Sequence, residues 1–584
     1  MWPAGFTMTL VVMPMAMVVP GHLALGYCLS RSSGNNTHVR KWLDLARINA
    51  YKGHMQTDND ITMNTPEAIP GRLAHEAHHY YRALAAKDSR FDGVFFTGVK
   101  TTGIYCRPVC AVRTPRESSC EFFSTAAAAE AAGYRPCLRC RPELAPYAIQ
   151  QNLAHAIWKK IADGALNAMD VEEFSQQIGL SSRQLRRVLL QEFGASPVEL
   201  AQTQRLLFAK KLLQETGLPM TDIAFAAGFG SVRRFNALFL QRYQMAPGSV
   251  RRAADGRGEG ILLRLAYRPP YAWDAVIGYL RGRAMPGLEA VIQEGQDGDL
   301  AAYVRSVRIQ GISGWLKVSH LPQKNQLLLQ LAPQLTPVLM PVLARVRQQF
   351  DLEANPAFIQ SHLQQDALLA AQIQATPGLR VPGAFDSFEL AIRAVLGQQV
   401  SVAGATTVAG RLVQRFGDLV DTPLATITRH FPTPETIIAL PINDLAGIGI
   451  PATRAQTLQN VARFALGGGF ERLPDSTQAA MLDNMKSVRG IGEWTAQYIA
   501  MRALRFPDAF PAGDLGLQKA AAQLSGQAAS PAPTRWTEKQ LLLQAQAWSP
   551  WRAYAAMLLW QSLNTTDSFS GHNAASKAVQ KNKV

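Results

Sequence analysis

Two sets of residues in this chain have types and spacings that could do chemistry. The first lies within Ser487–Lys519. There Gly490-Ile491-Gly492 makes a short Gly-x-Gly turn between two helix-like segments, and a lone carboxylate, Asp514, follows in a loop. Glycines have no Cβ, so the backbone N–H groups of such a turn can approach a phosphate closely. An acid placed after it points to chemistry on a nucleotide. Asp514 can equally serve as a helix N-cap ahead of Leu515-Gly516-Leu517-Gln518, and the two roles can coexist. The second set is Cys106, Cys110, Cys137 and Cys140, two close pairs separated by an intervening segment. That arrangement can close a tetrahedral four-sulfur site, for which zinc is the first choice and a structural role the simplest one. Cys120 is left over as a buried or free thiol.

The elements that must position these residues belong to a long, basic chain. Its 584 residues imply several domains, and a formal net charge of +16 favours a polyanionic partner, nucleic acid before an anionic membrane surface. Five of the six cysteines fall between Cys106 and Cys140, which suits a local metal site better than a disulfide framework. No nucleotide-binding P-loop is present, and no cysteine after Cys140 could hold an iron–sulfur cluster. Phe6 to Leu29 is apolar and uncharged, long enough for a membrane span, but Pro14 and Pro20 interrupt it and no basic residue precedes it. The alternative is an over-extended start, with Met55 or Met63 as the true one. His75-Glu76-Ala77-His78-His79 fits the zinc-protease pattern H-E-x-x-H, with a solvated first helix of the next domain as the competing reading.

Around the cysteines, Val94-Phe95-Phe96 and Gly98-Val99 read as strand, and Ser124 to Gly133 as an Ala-rich helix. The runs Thr101-Thr102-Gly103-Ile104-Tyr105-Cys106-Arg107-Pro108 and Arg135-Pro136-Cys137 resemble the N-terminal domain of the Ada adaptive-response regulators. The resemblance implies that zinc holds all four thiolates and that Cys106 takes a methyl group from a methylated DNA phosphate. Methylating one of four thiolates on Zn²⁺ would reduce the formal charge from −2 to −1 and so strengthen contact with DNA.

Two helix-turn-helix patterns follow. The first turns at Gly179, with Ser181 or Ser182 capping a helix that carries Arg183. The second turns at Gly228, ahead of Ser231-Val232-Arg233-Arg234-Phe235-Asn236. Phe235 and Phe239, four apart, should face the core, leaving Arg233, Arg234 and Asn236 to reach bases or phosphates. With Pro247 and Arg251 in place, the tandem pair resembles the AraC-type DNA-binding domain.

Beyond a Gly-rich linker the composition changes. Leu262 to Tyr267 is strand-like, Arg268-Pro269-Pro270-Tyr271 breaks it, and Trp273 to Arg283 is helical; helices dominate after about Thr336. The segment resembles 3-methyladenine DNA glycosylase II of the helix-hairpin-helix superfamily, through Arg268-Pro269-Pro270-Tyr271-Ala272-Trp273, Ala394 to Val402, the hairpin, the Asp514 loop and Trp551-Arg552-Ala553-Tyr554. The resemblance implies that Asp514 is catalytic, that Tyr279, Trp494, Tyr498 and Trp560 line the base pocket, and that Gln399 wedges into the gap left by a flipped nucleotide, with Gly490 and Gly492 gripping the backbone. For each aromatic, core packing is the competing role. Trp494 stands where bifunctional members carry a lysine nucleophile, which implies hydrolysis without strand cleavage. The chain departs from the pattern at Arg489, usually proline, at Ala512-Gly513, at Leu515 in place of an aromatic, at Tyr279 in place of phenylalanine, and at the polar wedge Gln399.

The expected architecture is therefore a mainly α multidomain chain: an uncertain extension at 1–70, a small α/β zinc methyl-acceptor domain at 75–145, an AraC-type double helix-turn-helix at 147–253, a linker at 254–260, an α+β subdomain at 261–375, a helical helix-hairpin-helix glycosylase domain at 376–565, and a disordered tail at 566–584. The expected protein is a cytoplasmic, monomeric sensor, activator and glycosylase. It would need Zn²⁺, act on alkylated and promoter double-stranded DNA, engage RNA polymerase when activating, and not bind membranes. The main alternative is a non-enzymatic methylation-sensing regulator whose glycosylase-like half only binds DNA.

Overall fold

The computed structural model describes Leu73 and residues 77–142, 153–251, 260–294, 300–471, 477–526 and 535–563. The expectations for 1–70 and 566–584, nearly all of the linker, and His75 and Glu76 of the H-E-x-x-H run lie outside them. His78 is exposed and bonds Glu117 instead. Among the described residues no helix is long and apolar enough to cross a membrane.

The chain is multidomain and mostly helical. The cysteine-rich segment forms a four-stranded sheet, β1 (Phe96–Val99), β2 (Ile104–Cys106), β3 (Cys120–Phe123) and β4 (Arg135–Pro136), in the order β3-β1-β2-β4. Its helix, Ala126–Ala131, is capped by Thr125. The expected strand at Val94 begins only at Phe96, because Gly93 at φ 77 turns the chain and pairs Asp92 with Phe95 in an isolated bridge.

In the next segment Gly179 (φ 73) and Gly228 (φ 84) make both turns in the left-handed region. Ser181 closes a capping box with Gln184 on helix Ser182–Phe193, and Ser231 caps helix Val232–Tyr243. Between the two units runs the long helix Pro197–Glu215. Its charged last turns are buried because they meet other segments. Lys210 donates to the Cys137 carbonyl at 3.1 Å, and Glu215 accepts from Arg141 at 2.6 Å and from the Arg264 backbone at 2.8 Å.

Five antiparallel strands then form a sheet in the order β5-β9-β8-β7-β6: β5 (Ile261–Ala266), β6 (Glu289–Glu294), β7 (Leu300–Ile309), β8 (Ile312–Leu321) and β9 (Gln326–Leu331). Strict in–out alternation along β9 turns Leu327, Leu329 and Leu331 into the core. Helices complete the chain around Ser387–Leu396, which is buried on nearly every side.

A buried ionic hub joins all four segments. Arg268, 2% exposed, donates to the Asp92 carbonyl at 2.7 Å and to the Glu353 carbonyl at 2.7 Å. Arg380 caps the Arg268 and Pro270 carbonyls. Glu353 pairs with Lys159 at 2.5 Å and Arg505 at 3.4 Å, while Asp351 takes Arg505 at 3.1 Å and the Tyr554 hydroxyl at 2.8 Å. Such groups stabilise little over an apolar core, but their partners lie on different segments, so these bonds form only when the segments dock.

Candidate active site and metal centre

Asp514 is the N-cap of helix Leu515–Leu524, its Oδ1 accepting from the Leu517 N–H at 3.0 Å. The same carboxylate receives two indole N–H groups, Trp560 at 3.0 Å on Oδ1 and Trp494 at 3.1 Å on Oδ2. Three donors thus fix one acid at the edge of an aromatic cluster. Trp494 and Tyr498 lie one turn apart on helix Glu493–Arg502, with rings nearly parallel and centroids 5.5 Å apart. Trp560, from the helix at 552–563, meets Tyr498 edge-on at 6.3 Å. Tyr279, from helix Trp273–Arg281, places its hydroxyl 3.2 Å from that of Tyr498. All five residues expected at the pocket therefore share one site.

Two cations in this cluster escaped the sequence reading. Arg502 donates to the Tyr498 hydroxyl at 2.7 Å and to the Pro382 and Gly383 carbonyls, and its guanidinium lies 4.8 Å from the Tyr279 ring centre. The Arg283 guanidinium covers the same ring at 3.7 Å. Burial alone pushes both phenols up, and Tyr279 reaches about 12. At Tyr498 the charges of Arg502 and Arg283 outweigh burial and bring the phenol down to about 7. The available signal was Arg502 itself, a cation four residues after Tyr498 and so one turn further along the same helix.

Gln399 sits exposed in a left-handed conformation (φ 59), a strained state for a residue with a Cβ. Its loop is tied to the hairpin by Gln398, which donates to the Gly490 carbonyl at 2.9 Å and to Thr495 at 3.0 Å. Gly490 (φ 102) packs so closely on Thr457 that a Cβ there would lie 2.2 Å from its hydroxyl. Gly492 caps helix Glu493–Arg502. Arg183, Arg233, Arg234 and Asn236 are exposed on the second helices of the two helix-turn-helix units, whereas Phe235 and Phe239 are fully buried.

The sulfurs of Cys106, Cys110, Cys137 and Cys140 all lie within 4.8 Å of one another, and among the described residues they form the one such group. Cys106 ends β2, and Cys137 follows β4, held by its N–H to the Tyr105 carbonyl. Each pair is closed by a turn whose N–H faces sulfur, Arg107 to Cys140 and Arg139 to Cys137, both at 3.4 Å. The thiols share protons: Cys110 above all, then Cys137 and Cys140, push Cys106 up, while Cys106 draws Cys110 down to about 7. A divalent cation fits this group, since it can replace the shared protons with four short bonds to sulfur. Cys106, Cys110 and Cys137 are buried, and Cys140 is the more open. Cys120 stands apart, bonded to the Arg116 carbonyl.

A zinc-type cysteine cluster, a double helix-turn-helix and a hairpin with a carboxylate in an aromatic pocket define a DNA-damage protein that joins regulation to base excision. Four families match the chain: the metal binding domain of Ada over residues 79–143, a helix-turn-helix domain over 174–253, the AlkA N-terminal domain over 262–386, and the HhH-GPD superfamily base excision DNA repair protein over 392–544. The chain belongs to the family of the probable bifunctional transcriptional activator/DNA repair enzyme AlkA of Mycobacterium tuberculosis, to which it is 37% identical over 494 residues, 83% of this chain and 96% of that one. It is 32% identical over 297 residues to DNA-3-methyladenine glycosylase 2 of Escherichia coli, covering 51% of this chain and 95% of that protein. It is also 32% identical over 153 residues to the bifunctional transcriptional activator/DNA repair enzyme Ada of Escherichia coli, covering 26% of this chain and 42% of that one. Zinc is the metal this family places on the four cysteines.

Proposed function

We propose that this protein excises alkylated bases of the 3-methyladenine type from double-stranded DNA by monofunctional N-glycosidic hydrolysis, and that it also senses DNA methylation and activates transcription. The observation that carries the excision reading is Asp514, oriented by two indole N–H groups beside stacked aromatic rings. An alkylated purine bears positive charge, so it is already a good leaving group and favours electron-rich faces. The nucleotide must leave the stack, with Gln399 filling the gap and Gly490 and Gly492 holding the backbone. Asp514 then stabilises the oxocarbenium-like sugar and directs water to it.

In the sensor, the sulfur of Cys106 attacks the methyl carbon of a DNA methylphosphotriester; the carbon–oxygen bond breaks and the phosphodiester anion leaves. Bound zinc keeps the thiolate available at neutral pH. Lys210, Arg107 and the N–H···S contacts hold the two cysteine turns in place. Arg183, Arg233, Arg234 and Asn236 contact promoter DNA, the activated protein engages RNA polymerase, and the chain acts as a cytoplasmic monomer.

The test is release of free bases from methylated DNA by the parent and by Asp514→Asn. Release by the parent alone supports the assignment. Release by neither, with DNA still bound, leaves the non-enzymatic regulator as the correct reading.

A further inference from the structure

Beside the hairpin runs an open groove of about 510 Å³, lined by Gln456, Asn460, Arg463, Val488 and Arg489. Gln456, Asn460 and Arg463 recur at intervals of four and three, so they form one stripe along helix Ala452–Leu466. Arg489 faces them from the residue immediately before Gly490. The hairpin is pressed onto this helix where Gly490 meets Thr457. Asn460 ties the two walls together: its amide donates to the Arg489 carbonyl at 3.2 Å, and its oxygen accepts from Gln456 and Arg463, each at 3.3 Å.

The polar groups that organise the groove are thus satisfied, while its charges are not. No carboxylate lines it, and neither Arg463 nor Arg489 pairs with an acid among the described residues. On the hairpin's other side the cation is already spent, since Lys486 pairs with Glu493 at 3.0 Å and Asp483 at 3.1 Å. Arg489 also gives the turn a charge that its backbone N–H groups lack.

We propose that this groove is a second backbone-phosphate site, in which Arg463 and Arg489 clamp the DNA strand next to the phosphate gripped by the hairpin. It rests on the excision reading, because it assumes that the hairpin holds lesion DNA. The clamp compensates for a polar wedge. Glutamine gains less than an apolar side chain from entering the base stack, so the extruded state depends more on backbone grip.

The test is the salt dependence of kcat/KM for base release from a short duplex carrying one alkylated base, which reports only on DNA held by the glycosylase half. Each phosphate contact contributes a slope of about 0.9 in log–log form, or about 3.5-fold in kcat/KM over a fourfold rise in salt. Arg463→Gln and Arg489→Gln should each reduce the slope by up to about 0.9, and both together by up to about 1.8. Lysine at either position should restore most of the slope, and Lys324→Ala, on the exposed β8–β9 connection, should leave it unchanged. Slopes equal to the parent's in both glutamine variants would overturn the clamp alone. A fall in kcat with no change of slope would make the arginines structural and also overturn it. No release by the parent would overturn the excision reading and the clamp with it.

Discussion

Replacing Asp514 by asparagine, the conventional way to remove a catalytic charge, should not be structurally neutral here. The carboxylate accepts from three N–H groups: Leu517 and Trp560 on Oδ1, Trp494 on Oδ2. Asparagine has one oxygen. With that oxygen kept on the helix cap and Trp560, its NH₂ must face the Trp494 indole N–H, donor against donor at about the present 3.1 Å. The lost charge-assisted bond and the opposed donors should destabilise by about 1–2 kcal/mol, the lower part of the usual range because the site is half-buried. For a unit of this size that lowers the melting midpoint by about 2–4 °C per kcal/mol. Trp494→Phe removes the conflict, so the double variant Asp514→Asn/Trp494→Phe should be less destabilised than the sum of the singles by about 1–2 kcal/mol. The assay is denaturant unfolding of the four proteins, with base release measured in parallel. Stabilities that add to within about 0.5 kcal/mol would refute the three-donor geometry, whatever happens to activity.

Trp560→Phe keeps the ring but removes one indole donor, and should slow single-turnover base release by roughly tenfold, equivalent to about 1.4 kcal/mol. Titrating near-ultraviolet tyrosinate absorbance should show a group ionising near pH 7 that disappears in Tyr498→Phe and moves upward in Tyr279→Phe, because the Tyr279 hydroxyl supports the ionised form. Burial raises the Glu353 carboxyl, but Lys159, Arg505 and Arg347 outweigh it and hold it at about 2, below its ordinary 4.5. Its contribution, roughly 3 kcal/mol, is therefore fully present above pH 4.5 and lost as pH falls toward 2; Glu353→Gln should lower stability at neutral pH and flatten the acid side of the stability curve. Cys137→Ser should abolish bound zinc while Cys120→Ser retains it, read by metal analysis, and mass spectrometry after exposure to methylated DNA should place the methyl group on Cys106 and not on the more open Cys140.

What could be read in advance followed the range of the interactions involved. The four cysteines were legible because each pair sits in one turn of chain, where spacing is geometry. The helix-turn-helix units were legible for the same reason: Gly179, Gly228 and their serine caps act within a few residues. The aromatic pocket was reached only through resemblance, since Tyr279 and Trp560 come from helices far apart in sequence. The indole bonds to Asp514 were not foreseen, because a tryptophan assigned to a pocket wall says nothing about where its N–H points. Arg268, Asp351, Glu353 and Arg380 were opaque for a stronger reason. Each pairs with a residue of another segment, and periodicity carries no trace of contacts formed between surfaces.

That ionic hub also bears on why the activities share one chain. Asp92 gives its side chain to Arg107, in the turn between Cys106 and Cys110, and its carbonyl to Arg268 on the glycosylase side. Glu353 then takes Lys159 from the helix-turn-helix segment and Arg505 from the residues just after the hairpin helix. Pulling the segments apart would leave Glu353 without Lys159 and Arg505 and the Asp92 and Glu353 carbonyls without Arg268, so these segments resist separating. A linker would have sufficed to keep sensor and glycosylase on one polypeptide. Buried, mutually dependent charges do more: they tie the cysteine-rich, helix-turn-helix and hairpin segments to one another directly.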